Sequence, residues 1–282
     1  MKISVFAGQL TKYLPEMRCP KCGGGFHIHE TQLRCESGHC YDLSSKGYVN
    51  LAPQHDQSRE KYDASLFENR SRIFDGGFYS PLWNAIAAKI QEQFGDDPFT
   101  LADIGCGEGY YTRRATETFP GCRAFGVDLS RDGIQRAARY RNACWLVGDL
   151  KQLPLRNGSM DVLLDVLTPA DYASFRRVLR PGGLLLKAIP GNDYLKEIRN
   201  LVKDQLRNQE YNNSRVQDHL AQHGTILDKT TIRQTFSLTE TQAADFLRMT
   251  PMTFSLPEKA LEGLMLPEIT IHMELFSVRL DG

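Results

Sequence analysis

Short apolar segments alternate with helix-like segments through the middle of the chain, and this alternation limits the possible folds more than any other feature of the sequence. Strand and helix in regular alternation build βαβ units, in which helices cover both faces of a parallel sheet. The sequence therefore predicts an α/β domain with a mostly parallel sheet. The five apolar segments are TLADIG (100–105), AFGVDL (124–129), CWLVGD (144–149), DVLLDVL (161–167) and LLLKAI (184–189).

Segments on both sides extend this domain. Before the alternation, the spacing of Leu66, Ile73 and Phe74 predicts a helix. A second helix is predicted to begin at Pro81, which suits a first helical turn, and to end near Phe94. Four elements are predicted after the alternation: a long charged helix near Asp193 to Asn208, the β-rich TTIRQTFSL, a helix near Thr239 to Met249 and the strand-like TIHMELFSV.

The composition is that of a globular protein. Of the 282 residues, 41% are hydrophobic and 24% are charged, and no run approaches the roughly 20 apolar residues of a membrane span. We therefore expect no membrane partner. The start, MKISVFAGQLTKYLPE, lacks the sustained apolar core of a signal peptide, so a cytoplasmic location is expected.

The formal net charge is zero. This removes the simplest indication of a nucleic-acid partner, which is a strongly basic domain. Local clusters are still present, because Arg131, Arg136, Arg139 and Arg141 crowd one predicted helix. We interpret that cluster as a solvated helix face.

The segment LADIGCGEGYYT combines the end of a strand, a glycine-rich turn and the start of a helix. The turn carries Gly105, Gly107 and Gly109, and the helix begins at Tyr110. Glycine is needed where the chain turns sharply and a ligand must lie against the backbone. The pattern alone fits a NAD or FAD turn, or a tight βα connection, equally well.

Three aspartates at successive strand ends indicate which ligand the turn holds. Asp128 is placed to accept hydrogen bonds from both hydroxyls of a ribose, and Asp149 could bond an adenine amine. Asp103 would repel a phosphate, and Tyr110 stands where a dinucleotide-binding turn has its third glycine. S-adenosylmethionine fits better, because it carries a sulfonium and an ammonium group and no phosphate.

These residues resemble the Rossmann-like methyltransferases. Their motif D-x-G-x-G-x-G is matched by Asp103, Gly105, Gly107 and Gly109, and RRVLRPGGLLLKAIP (176–190) is similar to their fifth-strand segment. The resemblance implies a class I methyltransferase fold, with a mostly parallel seven-stranded sheet, helices on both faces and S-adenosylmethionine as cofactor.

A second constellation lies near the start of the chain. Cys19-x2-Cys22 is followed, after twelve residues, by Cys35-x3-His39, and two such pairs can close a tetrahedron around zinc. The odd total of seven cysteines and the expected reducing compartment argue against disulfides. From spacing alone, Cys40 could replace His39 as the fourth ligand.

A metal module followed by CYDLSSKGYVNLAP resembles the bacterial large-subunit (23S) ribosomal RNA guanine-N1 methyltransferases. Their segment G-Y-V-N-L-x-P is matched at residues 47–53, and DIGCGEGYYT is also similar. The resemblance implies that Cys19, Cys22, Cys35 and His39 bind zinc. It further implies that the module helps to recognise a hairpin of large-subunit ribosomal RNA, in whose loop a guanine is methylated at N1. Candidate RNA contacts are Phe26, Arg34, Tyr41, Lys46 and Tyr48.

The same resemblance completes the predicted cofactor site. Tyr79 falls in a segment that covers the cofactor in that family, and Tyr194 lies near the end of the fifth strand. The predicted cofactor-binding residues are Tyr79, Asp103, Gly105, Cys106, Gly107, Glu108, Gly109, Asp128, Leu129, Asp149, Leu150 and Tyr194.

The general base is the least determined part of the site. Methylation at guanine N1 requires removal of its proton, and Asp165, near the fourth strand end, is the candidate. Amine-methylating enzymes often carry Asn/Asp-Pro-Pro-Tyr/Phe at this point, whereas this chain has Leu-Thr-Pro-Ala at 167–170. This difference disfavours an exocyclic amine as the target.

Three parts are predicted along the chain: a zinc-binding RNA-recognition module (1–52), a linker and helical segment (53–97) and the methyltransferase domain (98–282). Zero net charge gives weight to one alternative, a small-molecule methyltransferase whose zinc module only stabilises the N-terminus or forms a contact between two copies. A homodimer is accordingly possible. A regulatory protein that merely senses the cofactor is a further alternative, which the intact turn with Asp128 and Asp149 disfavours.

Overall fold

A computed structural model describes residues 2–54, 64–205, 213–254, 256–261 and 263–281. The helices are α1 Ile3–Leu10, α2 Ala64–Asp75, α3 Ser80–Phe94, α4 Tyr110–Thr118, α5 Arg131–Ala137, α6 Tyr172–Val178, α7 Lys196–Leu201, α8 Ser214–Ala221, α9 Glu240–Met249 and α10 Glu258–Leu261. The strands are β1 Phe26–His29, β2 Gln32–Cys35, β3 Cys40–Asp42, β4 Val49–Asn50, β5 Phe99–Ile104, β6 Cys122–Asp128, β7 Cys144–Val147, β8 Met160–Val166, β9 Leu179–Pro190, β10 Gly224–Ser237 and β11 Glu268–Leu280. Within the predicted linker and helical segment (53–97), residues 55–63 lie outside the described residues.

The large sheet has the order β10-β11-β9-β8-β5-β6-β7-β4. Strands β4 to β9 run parallel within it, and β11 pairs antiparallel with both β9 and β10. All seven predicted strands are present, so the predicted α/β architecture is confirmed. The apolar stretches of the five central strands are almost wholly buried, as in residues 184–189 of β9, which explains why they are continuous apolar runs in the sequence.

An eighth strand, which the sequence did not suggest, comes from the segment that follows the zinc module. Val49 and Asn50 pair in parallel with Leu146 and Val147 of β7. The backbone N–H of Leu51 extends this contact by donating to the Val147 carbonyl at 2.8 Å. The exit from the module is therefore part of the large sheet.

The predicted long helix from Asp193 to Asn208 is wrong at both ends of its described part: α7 spans only Lys196–Leu201, and a 3₁₀ turn follows at Lys203–Gln205. Residues 206–208 lie outside the described chain. Helix α7 begins only at Lys196, because the preceding residues are bonded to β11. The Asp193 N–H donates to His272 Nδ1 at 3.1 Å, and the Leu195 N–H donates to the Thr270 carbonyl at 2.9 Å. Leu195 itself has a φ of 52°, outside helical geometry.

The zinc module and the large domain share one buried apolar cluster. Met17, Leu33 and Leu43 of the N-terminal region belong to the same cluster as Phe125 and Leu155 of the large domain. Helix α1 and the 3₁₀ turn after it add to this cluster, and the ring of Tyr13 lies edge-on to Phe125 at 5.2 Å. The boundaries predicted at residues 52 and 97 stay predictions. Among the described helices, none is both long enough and apolar enough to cross a membrane.

Candidate active site and metal centre

Two tight turns bring four ligand atoms together in the N-terminal module. In the first turn the Gly23 N–H donates to the Cys19 carbonyl at 2.8 Å, and in the second the Gly38 N–H donates to the Cys35 carbonyl at 2.9 Å. Both glycines have positive φ, 75° and 81°, which favours glycine at these positions. The ligand atoms of Cys19, Cys22, Cys35 and His39 all lie within 4.8 Å of one another.

The distances among these atoms fit zinc. Cys22 Sγ lies 3.6 Å from Cys35 Sγ, and His39 Nδ1 lies 3.6 Å from Cys19 Sγ and 3.4 Å from Cys35 Sγ. A tetrahedral ion with sulfur ligands at about 2.3 Å and nitrogen at about 2.0 Å requires edges of roughly 3.5 to 3.8 Å. Hydrogen bonds, chiefly from the Ser37 side chain, lower the pKa of the Cys22 thiol to about 6, which favours the thiolate that zinc binds.

The geometry decides between His39 and Cys40. Cys40 is the first residue of β3, is exposed and points its thiol at the Gly38 carbonyl, 3.3 Å away. His39 faces the other three ligands. Behind them, the buried Tyr41 hydroxyl lies 3.5 Å from Cys19 Sγ, so this residue supports the metal site rather than presenting its ring to RNA. Tyr48, another candidate RNA contact, is also buried.

The glycine-rich turn is built as the sequence predicts. Strand β5 ends at Ile104, and the N–H groups of Gly105 and Cys106 both bond the Val127 carbonyl of β6. Gly105, Gly107 and Gly109 have φ values of 71°, 53° and 82°. The chain can make this turn with little strain only because no Cβ is present at these positions.

Two of these glycines also permit close packing. A Cβ on Gly105 would overlap the Thr168 side chain, lying 2.6 Å from its Cγ2. A Cβ on Gly109 would lie 2.5 Å from Trp145 Cη2 and 2.9 Å from the Ala137 side chain. Gly105 therefore holds the turn against the loop after β8, and Gly109 holds α4 against β7 and α5.

The three predicted aspartates lie around one cavity of about 450 Å³ at the carboxyl ends of the strands. Asp128 accepts the N–H of Gly107 at 2.8 Å through one oxygen and that of Ser130 at 2.7 Å through the other. Asp149 accepts the Lys151 N–H at 2.9 Å. Each carboxylate retains acceptor capacity for a ligand.

Asp103 lies at the bottom of this cavity. It is 1% exposed, and its Oδ2 accepts the Thr112 N–H at 3.1 Å and the Thr112 hydroxyl at 2.7 Å. Burial raises the pKa of Asp103 to about 7 although these hydrogen bonds act to lower it. A cation bound nearby would favour the ionised form.

Ten of the twelve predicted cofactor-binding residues line the cavity: Tyr79, Asp103, Gly105, Cys106, Gly107, Asp128, Leu129, Asp149, Leu150 and Tyr194. The hydroxyls of Tyr79 and Tyr194 meet at 2.6 Å. The remaining two residues, Glu108 and Gly109, are not among the lining residues. Gly109 is packed against Trp145, and the Glu108 carboxylate is buried beside Arg70.

Arg70 of α2 is a lining residue that sequence reasoning missed. Its Nε lies 3.5 Å from Glu108 Oε1, and its guanidinium carbon lies 5.8 Å and 5.6 Å from the ring centroids of Phe67 and Phe74. The side chain extends over Gly107 of the turn. Among the described lining residues it is the sole permanent cation. Nothing in the sequence around it marks it, because α2 lies far upstream of the turn.

The structure does not bring Asp165 into the cavity lining. Its carboxylate is completely buried, and Oδ2 accepts a hydrogen bond from Lys187 Nζ at 2.6 Å. Lys187 also donates to the Thr168 carbonyl at 3.3 Å. Burial raises the pKa of Asp165 to about 6, while Lys187 acts to lower it. The ion pair thus ties the ends of β8 and β9 to the loop that contains Thr168.

Comparison with known proteins identifies both parts of the chain. A methyltransferase domain family matches residues 101–183, and the zinc-ribbon family described as RlmA, N-terminal, matches residues 17–59. The second match covers the four metal ligands, and the first covers the glycine-rich turn and the three aspartates.

Curated relatives match most of the chain. YxjB of Bacillus subtilis (strain 168), assigned by name to the 23S rRNA (guanine-N(1)-)-methyltransferases, is 32% identical over 92% of this chain and 95% of its own length. The 23S rRNA (guanine(748)-N(1))-methyltransferase of Streptomyces fradiae is 31% identical over 84% of this chain and 85% of its own. A Micromonospora griseorubida protein assigned to the same activity is 30% identical over 84% of this chain and 86% of its own.

The two family matches together cover the four metal ligands and the glycine-rich turn. S-adenosylmethionine and zinc are accordingly the two cofactors of this fold. The chain belongs to the 23S ribosomal RNA guanine-N1 methyltransferase family.

Proposed function

We propose that this protein transfers a methyl group from S-adenosylmethionine to N1 of a guanine in a hairpin loop of large-subunit ribosomal RNA. The names of the relatives state this reaction. One structural observation supports it for this chain. A second cavity, of about 280 Å³, is lined by Pro20 and Lys21 of the zinc knuckle and by Leu129, Gly148 and Asp149 of the cofactor cavity. The module therefore lies beside the cofactor site, where it can hold an RNA segment close to the reacting group.

The residues around the first cavity account for binding of the cofactor. Asp128 would accept the ribose hydroxyls and Asp149 the adenine amine, while Asp103 would face the cationic end. Arg70, over the glycine turn, would bind the amino-acid carboxylate, and Glu108 would orient its guanidinium. When bound, S-adenosylmethionine supplies the electrophilic methyl group.

The loop after β8 is positioned to meet the methyl acceptor. Leu167 lines the cavity, is 41% exposed and has a φ of 58°, a conformation that costs a non-glycine residue about 1 to 2 kcal/mol. The Lys187–Asp165 ion pair fixes the next residue, Thr168. Under the proposed function, Leu167 offers an apolar surface to the target base, and Asp165 acts as a positioning residue.

The raised pKa of Asp103 predicts a pH-dependent affinity for the cofactor. With a pKa of about 7 in the free protein, Asp103 is mostly protonated at pH 6 and ionised at pH 8. A cationic ligand favours the ionised form, so binding releases a proton and affinity falls as the pH is lowered below about 7. We expect the Kd of S-adenosylmethionine, measured by calorimetry, to rise by up to about tenfold per pH unit in that range.

A matched variant isolates this carboxyl group. Asp103→Asn should bind more weakly, with a Kd that changes little between pH 6 and pH 8. S-adenosylhomocysteine, which lacks the sulfonium charge, should show a smaller pH dependence with the native protein. Equal affinity of the native protein for S-adenosylmethionine at both pH values would show that binding of the cationic ligand is not coupled to ionisation of Asp103.

The reaction itself is tested with cofactor labelled in the methyl group. The protein, the labelled cofactor and deproteinised large-subunit ribosomal RNA are incubated, and the RNA is digested to nucleosides. The label should appear in 1-methylguanosine. Label in an exocyclic methylguanosine would refute the ring-nitrogen target, and label confined to a small metabolite would favour the alternative of a small-molecule methyltransferase.

The cytoplasmic location expected from the sequence is part of this proposal, because the proposed substrate is ribosomal RNA. The homodimer stays a prediction.

A further inference from the structure

A cluster of exposed cationic side chains lies where the zinc module meets α5. It consists of Lys46 from the module and Arg131, Arg139 and Arg141 from α5 and the residues after it, and we call it the module–α5 patch. Arg141 donates to the Lys46 carbonyl at 2.8 Å, so the two parts of the chain are joined within the patch. Cations that are distant in sequence are thus held on one surface.

Neutral groups hold these cations in place. Lys46 Nζ donates to the Gln135 side chain, and Arg131 Nε donates to the Tyr48 hydroxyl at 3.1 Å. Arg139 Nε donates to the Arg136 carbonyl at 3.0 Å. Each contact orients a side chain without neutralising its charge.

Several other cationic side chains on the surface are paired with carboxylates, whereas those of the patch have no such partner among the described residues. Arg113, Arg123, Arg180 and Arg233 each have a carboxylate within 4.0 Å. Within the described ranges, no carboxylate comes that close to Lys46, Arg131, Arg139 or Arg141. The one acidic side chain on α5 is Asp132, which is exposed. The patch therefore retains a net positive charge in a protein whose total formal charge is zero.

The position of the patch indicates its ligand. Arg131 directly follows Ser130, which lines the cofactor cavity, and Lys46 is close in sequence to β4, beside β7. A polyanion lying on the patch would thus reach the cavity mouth. Arginine forks and a lysine ammonium are the groups that bind phosphates, and RNA stems offer phosphates in a continuous row.

We infer that the module–α5 patch binds the phosphate backbone of the RNA stem next to the target guanine. This inference rests on the proposed function and adds to it the surface on which the RNA lies. It also replaces the interpretation of the arginines from Arg131 to Arg141 as a solvated helix face, because α5 ends at Ala137, before Arg139 and Arg141, and the module contributes to the same surface.

The test is a double variant, Lys46→Gln with Arg139→Gln, since these two side chains make only exposed contacts. The matched control is Arg215→Gln with Arg279→Gln, which removes the same charge. Arg215 and Arg279 are exposed, have no carboxylate within 4.0 Å in the part of the chain the structure covers, and lie on α8 and β11, away from β4. Zinc content and calorimetric affinity for S-adenosylmethionine should match the native protein in both variants.

Binding to deproteinised large-subunit ribosomal RNA is measured by filter retention between 50 and 200 mM salt, conditions over which phosphate contacts weaken binding strongly. The patch variant should lose about tenfold in affinity, and the slope of log affinity against log salt should fall in magnitude by about one to two. KM for the RNA should rise while kcat stays near that of the native protein. The control variant should keep the native slope.

Equal slopes and KM values in the patch and control variants would overturn the inference, and so would a native protein that does not bind the RNA. If the native protein binds in a patch-dependent manner but methylates no ribosomal RNA, the patch is supported and the proposed reaction fails. The two proposals are therefore distinguishable.

Discussion

Replacing Cys19 with serine is expected to remove the zinc ion and to abolish methylation of ribosomal RNA. Cys19 is completely buried, and its sulfur contacts both His39 and Tyr41. Structural zinc contributes about 10 to 16 kcal/mol of apparent binding free energy in small modules. Strands β1 to β3 are too short to hold together without the ion. Zinc per chain, measured by elemental analysis, should fall from one to near zero.

Cys40→Ser is the matched control, because Cys40 is exposed and the hydrogen bond of its thiol goes to the Gly38 carbonyl rather than to a metal ligand. It should keep one zinc per chain and native activity. If Cys40→Ser lost the ion while His39→Ala kept it, Cys40 and not His39 would be the fourth ligand.

A point variant is a better test of the module than its removal. The module provides β4, and Met17, Leu33 and Leu43 lie in the same apolar cluster as Phe125. Cutting the chain before α2 would expose that cluster to water and lower the free energy of unfolding of the whole protein. Cys19→Ser keeps α1, the 3₁₀ turn after it and β4, which also cover that cluster, so calorimetry should still detect binding of S-adenosylmethionine to the large domain.

Replacing Gly105 with alanine is expected to weaken cofactor binding by more than about 100-fold. The new Cβ would overlap the Thr168 side chain, and the φ of 71° disfavours any residue with a Cβ. Relief of the overlap must move either the turn or the loop after β8, both of which line the cavity. Displacements of about 1 Å are enough to cost activity on this scale. Calorimetry measures the loss of cofactor affinity, and the thermal unfolding midpoint measures the loss of stability.

Two further variants separate strain from overlap. Gly182 has a similar φ of 77° and nothing within 4 Å of an added Cβ, so Gly182→Ala reports the cost of the backbone conformation alone. Gly105→Ala combined with Thr168→Ala removes the overlapping side chain and should recover part of the lost affinity. If Gly105→Ala destabilises the protein no more than Gly182→Ala and binds the cofactor normally, the turn does not need glycine for this contact.

The sequence was sufficient to predict the parts of the site that depend on local chemistry. Glycines that adopt positive φ, such as Gly105 and Gly109, are recognisable in the sequence by their spacing. Aspartates at strand ends, such as Asp128, are recognisable because they follow an apolar run. The Cys-x2-Cys and Cys-x3-His spacings likewise place their sulfurs and nitrogen through short turns. Apolar runs identified the five central strands, because parallel strands in such a sheet are covered on both faces.

The remaining parts depend on contacts between residues that are far apart in the sequence. Arg70 enters the cavity because α2 packs over the turn, and Asp165 is paired because Lys187 of β9 lies beside it. Strand β4 is only two residues long and is defined by its pairing with β7. His39 rather than Cys40 is the fourth ligand because the two neighbouring side chains point in different directions where β3 begins. None of these features has a signature within a short stretch of sequence.

Primer extension on large-subunit ribosomal RNA tests the central claim most directly. A methyl group on N1 removes a Watson–Crick donor, so reverse transcriptase should stop one nucleotide before a modified guanine. We predict one new stop, at a loop guanine, that requires both the protein and S-adenosylmethionine. This stop should be lost with Cys19→Ser and kept with Cys40→Ser. No new stop anywhere in the large-subunit RNA, under conditions where the protein binds zinc and cofactor, would contradict the central claim.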